Sequence, residues 1–393
     1  MVMPTTPDPL SHYGRQVIDD ADVAAVAEAL RGEFLTTGPQ VAAFEAEFAE
    51  AVGAKHAVAC ANGTAALHLA LLALGVGEGD LCIVPSTTFL ATANAVRYVG
   101  GEVLFADVDP ASGLMTPYTL SVAIHRAGVK AVKAVLPVHL RGEVCELPAL
   151  KALAQSAGGV LVEDAAHALG STMTFNGAEP ERVGDNAHSA ATTFSLHPVK
   201  TITTGEGGVV TTGDAALAKR LRTLRSHGMT KPEGADPWVY EMAEPGFNYR
   251  LPDINCALGR SQLNKLPGFV DKRRTLAAAW RAALAPLAPA VTPAAAMDWS
   301  DAALHLMTVL IDFEGLGVSR AQVVERLAAR GVASQVHYIP VHTQPYYRAR
   351  YGEIDLPGAR AWYDRCLSLP LHPGMSEADV ARGAAALAEA IGA

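Results

Sequence analysis

The sequence predicts an α/β fold, with a large domain built on a mostly parallel seven-stranded sheet and a smaller C-terminal α+β domain. Three observations predict it. Between about residues 55 and 210, short apolar runs alternate with amphipathic ones, the pattern of strands joined through helices. The short runs are apolar on both faces, so the sheet they form is covered on both sides. Beyond about residue 255 a long helical stretch leads into a separate strand, helix, strand, helix succession.

In chain order, HAVAC, LCIVP, EVLFAD, AVKAVLPV, GGVLVED, ATTFS and GGVVTT read as the seven strands. TAALHLALLAL, TANAVRYV and LPALKALAQSA carry apolar residues at spacings of three and four and read as helices between them. The large domain is expected over residues 15–255, after an N-terminal extension of residues 1–14. Residues 254–266 look helical, and 270–290 form an Ala- and Arg-rich helix running into PLAPAVTPAAA, a turn-rich connector. The small domain, 256–393, continues with strand HLMTVLIDF, helix SRAQVVERLAARG, strand ASQVHY and helix ADVARGAAALAEAI.

Half of the 393 residues are apolar and 18% are charged, which excludes disorder as the main state. Lys plus Arg (31) against Asp plus Glu (40) leaves a net charge of −9, the wrong sign for gripping nucleic acid or an anionic membrane. The opening MVMPTTPDPLSHYGR has prolines and an acid where a secretion signal needs basic residues before an apolar core. The longest apolar stretch, 64–76, is interrupted by His68 and falls short of the ~20 residues that span a bilayer. Five scattered cysteines with no CxxC pair suit a reducing compartment. The expectation is a soluble cytoplasmic protein.

Three segments carry chemistry. In FSLHPVKTITTGEGGVV, Lys200 follows a strand end and precedes a Thr/Gly-rich turn. A lone lysine there also fits a surface side chain snorkelling from a loop, but Ser195, His197 and TTGEGG make its surroundings polar and tightly turned. In GGVLVEDAAHALG a buried strand ends in Glu163 and Asp164, followed by His167, at the carboxyl edge where open α/β sheets bind ligands. Asp164 fits a helix cap, or a carboxylate holding a protonated ring nitrogen, the partner that pyridoxal phosphate requires. In ACANGTAALHLAL a strand passes through Asn62 and Gly63 into a helix starting at Thr64, a geometry that binds phosphate and also occurs without any anion. Downstream, Phe89 in STTFLATANA is placed to stack on a flat ring or to fill the core.

Together these segments supply a phosphate cradle, a stacking face, a carboxylate and an amine. At that point the chain resembles the DegT/StrS-type nucleotide-sugar aminotransferases, which belong to fold type I of the pyridoxal phosphate enzymes. The resemblance runs from YGRQVIDDADVAAV to PLHPGMSEADV, and its most specific piece is EDAAHALG followed by SLHPVKTITTGEGG. It implies that Lys200 is the Schiff-base lysine, Asp164 the partner of the pyridine nitrogen and His167 a hydrogen bonder near the ring hydroxyl. It further implies Gly63, Thr64 and Ser195 as phosphate ligands and Phe89 as the stacking residue. Asn248, in GFNYRLPDINCALGRSQL, matches the residue that reaches the phosphate of a neighbouring subunit, which would make a homodimer with a composite site obligatory. Lysine at position 200 argues against the related dehydratases, which carry histidine there.

RSHGMTK, WVYEMAEPGFNYR, VHYIPVHTQPYYR and SLPLHPGM look most like the enzymes of pseudaminic acid biosynthesis. That likeness implies L-glutamate as donor and UDP-2-acetamido-2,6-dideoxy-beta-L-arabino-hexos-4-ulose as acceptor, aminated at C4 for flagellin or surface glycosylation. Another GDP- or dTDP-linked keto sugar is the alternative, as is a non-catalytic binding protein. Arg250, His337, Tyr338 and His342 are candidates for the sugar nucleotide and the donor carboxylate, or for packing between the domains. No metal is expected, since His337 and His342 lack an HExxH pattern and a third ligand. A dinucleotide-binding oxidoreductase is disfavoured because the glycine cluster GVGEGD follows a helix and precedes a strand, the reverse of the Rossmann order.

Overall fold

The computed structural model describes residues 8–175 and 177–393. Two helices, α1 (Asp20–Arg31) and α2 (Pro39–Val52), precede the central sheet. The sheet contains β1 (His56–Cys60), β2 (Leu81–Pro85), β3 (Glu102–Ala106), β4 (Val132–Val135), β5 (Val160–Asp164), β6 (Ala191–Ser195) and β7 (Gly208–Thr212), in the order β1-β7-β6-β5-β4-β2-β3. The five strands from β3 to β6 run parallel, and β7 is antiparallel to both of its neighbours. A parallel return needs a crossover with room for a helix. The stretch between β6 and β7 turns through SLHPVKTITTGEGG instead and comes back antiparallel, which leaves Lys200 at the rim of the sheet.

Helices α3 (Gly63–Ala73), α4 (Leu90–Tyr98), α5 (Pro117–Ala127), α6 (Leu147–Ser156) and α7 (Ala215–Arg225) complete the α/β layers. One buried layer gathers around Phe44, Phe48 and Phe194, the other around Leu67, Leu69 and Phe105, so the sheet is covered on both faces as its apolar strands require. α8 (Asp253–Leu263) packs on α1 and α2. At its start the buried Asp253 carboxylate accepts the amides of Gly38 (2.7 Å) and Gln40 (3.0 Å), at the entrance to α2.

The second body has a three-stranded antiparallel sheet of β8 (Val291–Pro293), β9 (Met307–Ile311) and β10 (Cys366–Leu369), with β9 central. α9 (Leu266–Leu284), α10 (Arg320–Ala328) and α13 (Glu377–Ile391) accompany it, whereas α11 (Pro345–Tyr351) sets Tyr347 against Phe105 in the large domain and α12 (Pro357–Arg365) lies against β9. α9 places Leu266 and Val270 in the large-domain core and Leu276 and Trp280 in the small-domain core. The chain therefore changes bodies within α9, and the break expected at 255–256 falls inside α8, a helix fastened to α2.

The N-terminal extension differs too: Leu10 is buried in the small-domain core, its carbonyl accepts the Ala333 amide (2.8 Å), and the Pro9 carbonyl accepts from His372 Nε2 (2.8 Å). Residues 1–7 of that extension lie outside the described residues. ASQVHY, expected as a strand, makes a single bridge between Gln335 and Ser368. Its consecutive residues His337 and Tyr338 both face one cavity, which a strand with alternating faces cannot arrange. No helix among the described residues is long and apolar enough to cross a membrane.

Candidate active site

A cavity of about 610 Å³ opens beyond the carboxyl ends of β1, β5 and β6 and is closed on one side by the segment around His337 and Tyr338. Gly63, Thr64, Phe89, Asp164, His167, Ser195, Lys200, His337 and Tyr338 all line it. These residues are distant in sequence, and the parallel strands bring them together because each strand delivers its next residue to the same edge.

The anion-binding side is built by close approach. Asn62 caps α3, its Oδ1 accepting the Ala65 amide at 2.8 Å, and the Asn62 carbonyl takes the Ala66 amide at 3.0 Å. The first amides of the helix, those of Gly63 and Thr64, have no acceptor within it, and the helix dipole adds positive character there. A Cβ on residue 63 would stand 2.8 Å from Ser195 Cβ, and one on residue 208 would stand 2.3 Å from the Asn62 carbonyl oxygen. Glycine at both positions lets β7 and the end of β6 close against the start of α3, which puts Ser195 beside those free amides.

Asp164 ends β5 almost fully buried. Its Oδ2 accepts from Thr92 Oγ1 (2.7 Å) and its Oδ1 from the Ala166 amide (3.1 Å), so neutral donors hold the carboxylate in place. Its neighbour Glu163 faces the other side of the sheet, where His139 Nε2 (2.8 Å) and Thr192 Oγ1 (3.0 Å) donate to it. The Cys145 amide donates to His139 Nδ1 (3.2 Å), so the ring proton sits on Nε2, facing Glu163. Glu163 is thus consumed by the fold and Asp164 is presented to the cavity.

Lys200 is half-buried, its amide donating to the His197 carbonyl (2.8 Å) in the turn after β6. Desolvation of the charged amine is the largest influence on it, and with a smaller push from Arg273 it lowers the pKa to about 8 against the pull of Asp164. His167 is held far below its usual range by burial, by Lys200 and by His337, and is neutral. Its Nδ1 accepts the Arg141 amide (3.3 Å), which leaves the proton on Nε2, 3.1 Å from Tyr338 Oη. Phe89, 57% exposed, stands at the cavity mouth with its ring 6.1 Å from that of Tyr338. An aromatic ring so exposed is a free flat face rather than core.

Not every expected residue arrives. His342 is buried outside the cavity wall, where its Nδ1 meets Ser86 Oγ and its ring packs near Phe105, so its role in this chain is packing. Arg250 lies in a separate hollow with Arg222, Arg225 and Glu45. Asn248, expected at the phosphate of a neighbouring subunit and not at this cavity, is exposed in the bridge to Ser226. Conversely, Thr92, Tyr13 and Gln335 were missed. Thr92 carried a weak signal, a polar residue three positions after Phe89 on a helix face that is otherwise small and apolar.

The donor set fits pyridoxal phosphate: helix-start amides and a serine for an anion, an open aromatic face, a buried carboxylate and an amine of lowered pKa. The whole chain is also similar to proteins of known kind. It is 38% identical over 376 residues, 94% of each chain, to the spore coat polysaccharide biosynthesis protein SpsC of Bacillus subtilis (strain 168). It superposes with a TM-score of 0.88 and 29% identity on Helicobacter pylori PseC, an aminotransferase involved in the biosynthesis of pseudoaminic acid, covering 97% of this chain and 98% of that one. The putative sugar aminotransferase Spr1654 of Streptococcus pneumoniae, solved in its PLP form, gives a TM-score of 0.86 at 27% identity, over 97% and 98% of the two chains. A family model matches residues 16–388, and with it the chain belongs to the DegT/DnrJ/EryC1/StrS aminotransferase family, whose members are pyridoxal-phosphate-dependent sugar aminotransferases.

Proposed function

We propose that this enzyme moves an amino group from L-glutamate to C4 of a nucleotide-linked 4-keto-6-deoxy sugar, of the type UDP-2-acetamido-2,6-dideoxy-beta-L-arabino-hexos-4-ulose, in the cytoplasm. The observation that carries the sugar assignment is the end-to-end likeness to PseC, over 97% of this chain and 98% of that one. The likeness to SpsC favours a second reading, an amino sugar for another surface polysaccharide on a different nucleotide.

In this reading Gly63, Thr64 and Ser195 hold the cofactor phosphate, Phe89 and His167 bound the ring and Asp164 pairs with the ring nitrogen. Asn248 completes the phosphate site of a second copy in a homodimer. Pyridoxal phosphate supplies an electron sink that acidifies the carbon bearing the amino group. Lys200 Nζ does the proton work. With a pKa near 8, a useful fraction is the free amine at neutral pH, able to take a proton from that carbon of the donor and, in the second half of the cycle, to deliver one to C4 of the sugar. Asp164, fixed by Thr92 and the Ala166 amide, stays an acceptor aimed at one atom. His167 donates through Nε2, and Tyr338 with Phe89 narrows the mouth against water.

The test is to supply the purified enzyme with pyridoxal phosphate, glutamate and UDP-, GDP- and dTDP-linked 4-keto sugars and to identify aminated products by mass spectrometry. The UDP-linked 4-keto-6-deoxy-N-acetylhexosamine is expected to turn over fastest. Turnover confined to a GDP or dTDP sugar contradicts the pseudaminic reading, and amination by none of them contradicts the reading as a whole.

A further inference from the structure

Tyr13 lines the same cavity as Lys200 and has no part in the chemistry above. It stands on a strap, residues 8–14, that ties the small domain to the turn after β6. On the small-domain side Leu10 lies in the core, the Pro9 carbonyl accepts from His372 Nε2 (2.8 Å), and the Tyr13 carbonyl accepts the Leu371 amide (3.0 Å). On the other side Gly14 is buried against the residue before Lys200: a Cβ on residue 14 would stand 3.3 Å from Val199 Cβ. Held between these anchors, the Tyr13 ring is half-buried, with its centroid 5.3 Å from that of His337.

The packing accounts for the ring but not for the hydroxyl. Among the described residues no hydrogen bond reaches the Tyr13 hydroxyl, and burial pushes its pKa up, so it stays a neutral donor. A tyrosine that buries its ring normally gives its polar tip a partner. We propose that Tyr13 is a substrate-binding residue whose hydroxyl donates to an oxygen of the acceptor sugar.

The distribution of charge in the cavity favours the sugar over the donor and the cofactor. The side chains of Asp164, Lys200 and Glu206 all belong to the large domain. The wall around Tyr13 consists of Gln335, His337, Tyr338 and Gln344. Burial, with Lys200 adding to it, holds His337 down to about 3, and burial pushes the Tyr338 hydroxyl up, so this wall is uncharged at neutral pH. Glutamate brings two carboxylates, which are costly to bury against groups that offer no counter-charge. The cofactor phosphate is met across the cavity, by the start of α3 and Ser195. A sugar ring brings neutral hydroxyl and carbonyl oxygens, and a phenol satisfies one of these without a counter-ion.

This inference rests on the acceptor being a keto sugar, and its test reads the two halves of the cycle apart. The holoenzyme is mixed with glutamate alone, and the change in cofactor absorbance gives the rate of the donor half. The aminated holoenzyme is then mixed with increasing concentrations of whichever UDP-, GDP- or dTDP-linked 4-keto sugar the parent converts. Tyr13→Phe keeps the ring beside His337 and removes only the hydroxyl. It should melt with the parent and match it in the glutamate half, while the half-saturating sugar concentration rises about three- to tenfold, the range of one neutral hydrogen bond. Calorimetric titration of the loaded chain with the aminated sugar nucleotide should show the same loss of affinity. A sugar dependence equal to the parent's, or equal slowing of both halves, would overturn the proposal and leave Tyr13 a packing residue. If the parent takes the amino group from glutamate and passes it to no keto sugar, the acceptor reading fails in the parent, before any variant is compared, and the role of Tyr13 falls with it.

Discussion

The two walls of the cavity carry their chemistry differently. On the large-domain side, Asp164 and Ser195 end their strands and Gly63 and Lys200 follow strand ends within a few residues, so one rule of the fold places all of them. On the small-domain side, His337 and Tyr338 leave the sheet as an irregular segment, and His342, a few residues on, returns to the core. A site residue in the first wall is set by topology. In the second, neighbouring residues of the same chemical type end in opposite environments.

The sharpest way to break this comparison uses adjacent carboxylates. Asp164→Asn removes the charge facing the cavity and is expected to cut amino transfer about 10²- to 10³-fold with little change in melting. Glu163→Gln weakens the acceptor that the buried His139 Nε2 and Thr192 Oγ1 share and should cost about 1–3 kcal/mol of stability while sparing turnover per folded molecule. Steady-state kinetics beside thermal melts check both. Equal losses of turnover in the two variants would contradict the assignment of faces.

This alternation was legible in the sequence only in part. GGVLVED marks a buried strand with its acids at the ligand-binding edge, but Glu and Asp differ by one residue, and only register against β6 decides which of them faces the cavity. The seven strands and the Lys200 turn were readable because local apolar runs and glycines specify them. The domain boundary was not, because α8 is bound to α2 through Asp253, a contact across more than two hundred residues. ASQVHY misled because its alternation mimics a strand, while tertiary packing turns two consecutive side chains into the cavity. His342 was unreadable for a related reason: nothing in VHYIPVHTQPYY shows that Ser86 waits for its ring.

The next largest effect concerns the cradle. Gly63→Ala forces a Cβ against Ser195 and should cost about 1–3 kcal/mol locally. A cost of that order is read as roughly tenfold weaker cofactor binding. Titration with pyridoxal phosphate checks it, and unchanged affinity would mean that the cradle does not hold the phosphate.

A pH effect follows from Lys200. Its amine titrates near 8 in the folded chain against an ordinary 10.5, so folding disfavours the proton. The destabilisation is fully present below pH 8 and fades as pH rises from 8 to 10.5. Cofactor-free Lys200→Met should therefore melt higher than the parent at pH 7, with the gap closing toward pH 10.5. A gap that widens with pH would contradict the lowered pKa.

The smallest effects test the second wall. Tyr338→Phe removes the contact with His167 and should slow turnover severalfold, an order of about 1 kcal/mol. His342→Gln should lower stability by about 1 kcal/mol through its bond to Ser86 and leave turnover close to the parent. The reverse ranking in kinetics would return His342 to the substrate site.

The most direct test of the central claim is to add pyridoxal phosphate to the purified chain, fix the adduct with borohydride and map the labelled peptide. The account predicts a yellow protein and a single label on Lys200. A label on another lysine, or a colourless protein with no label, would contradict it.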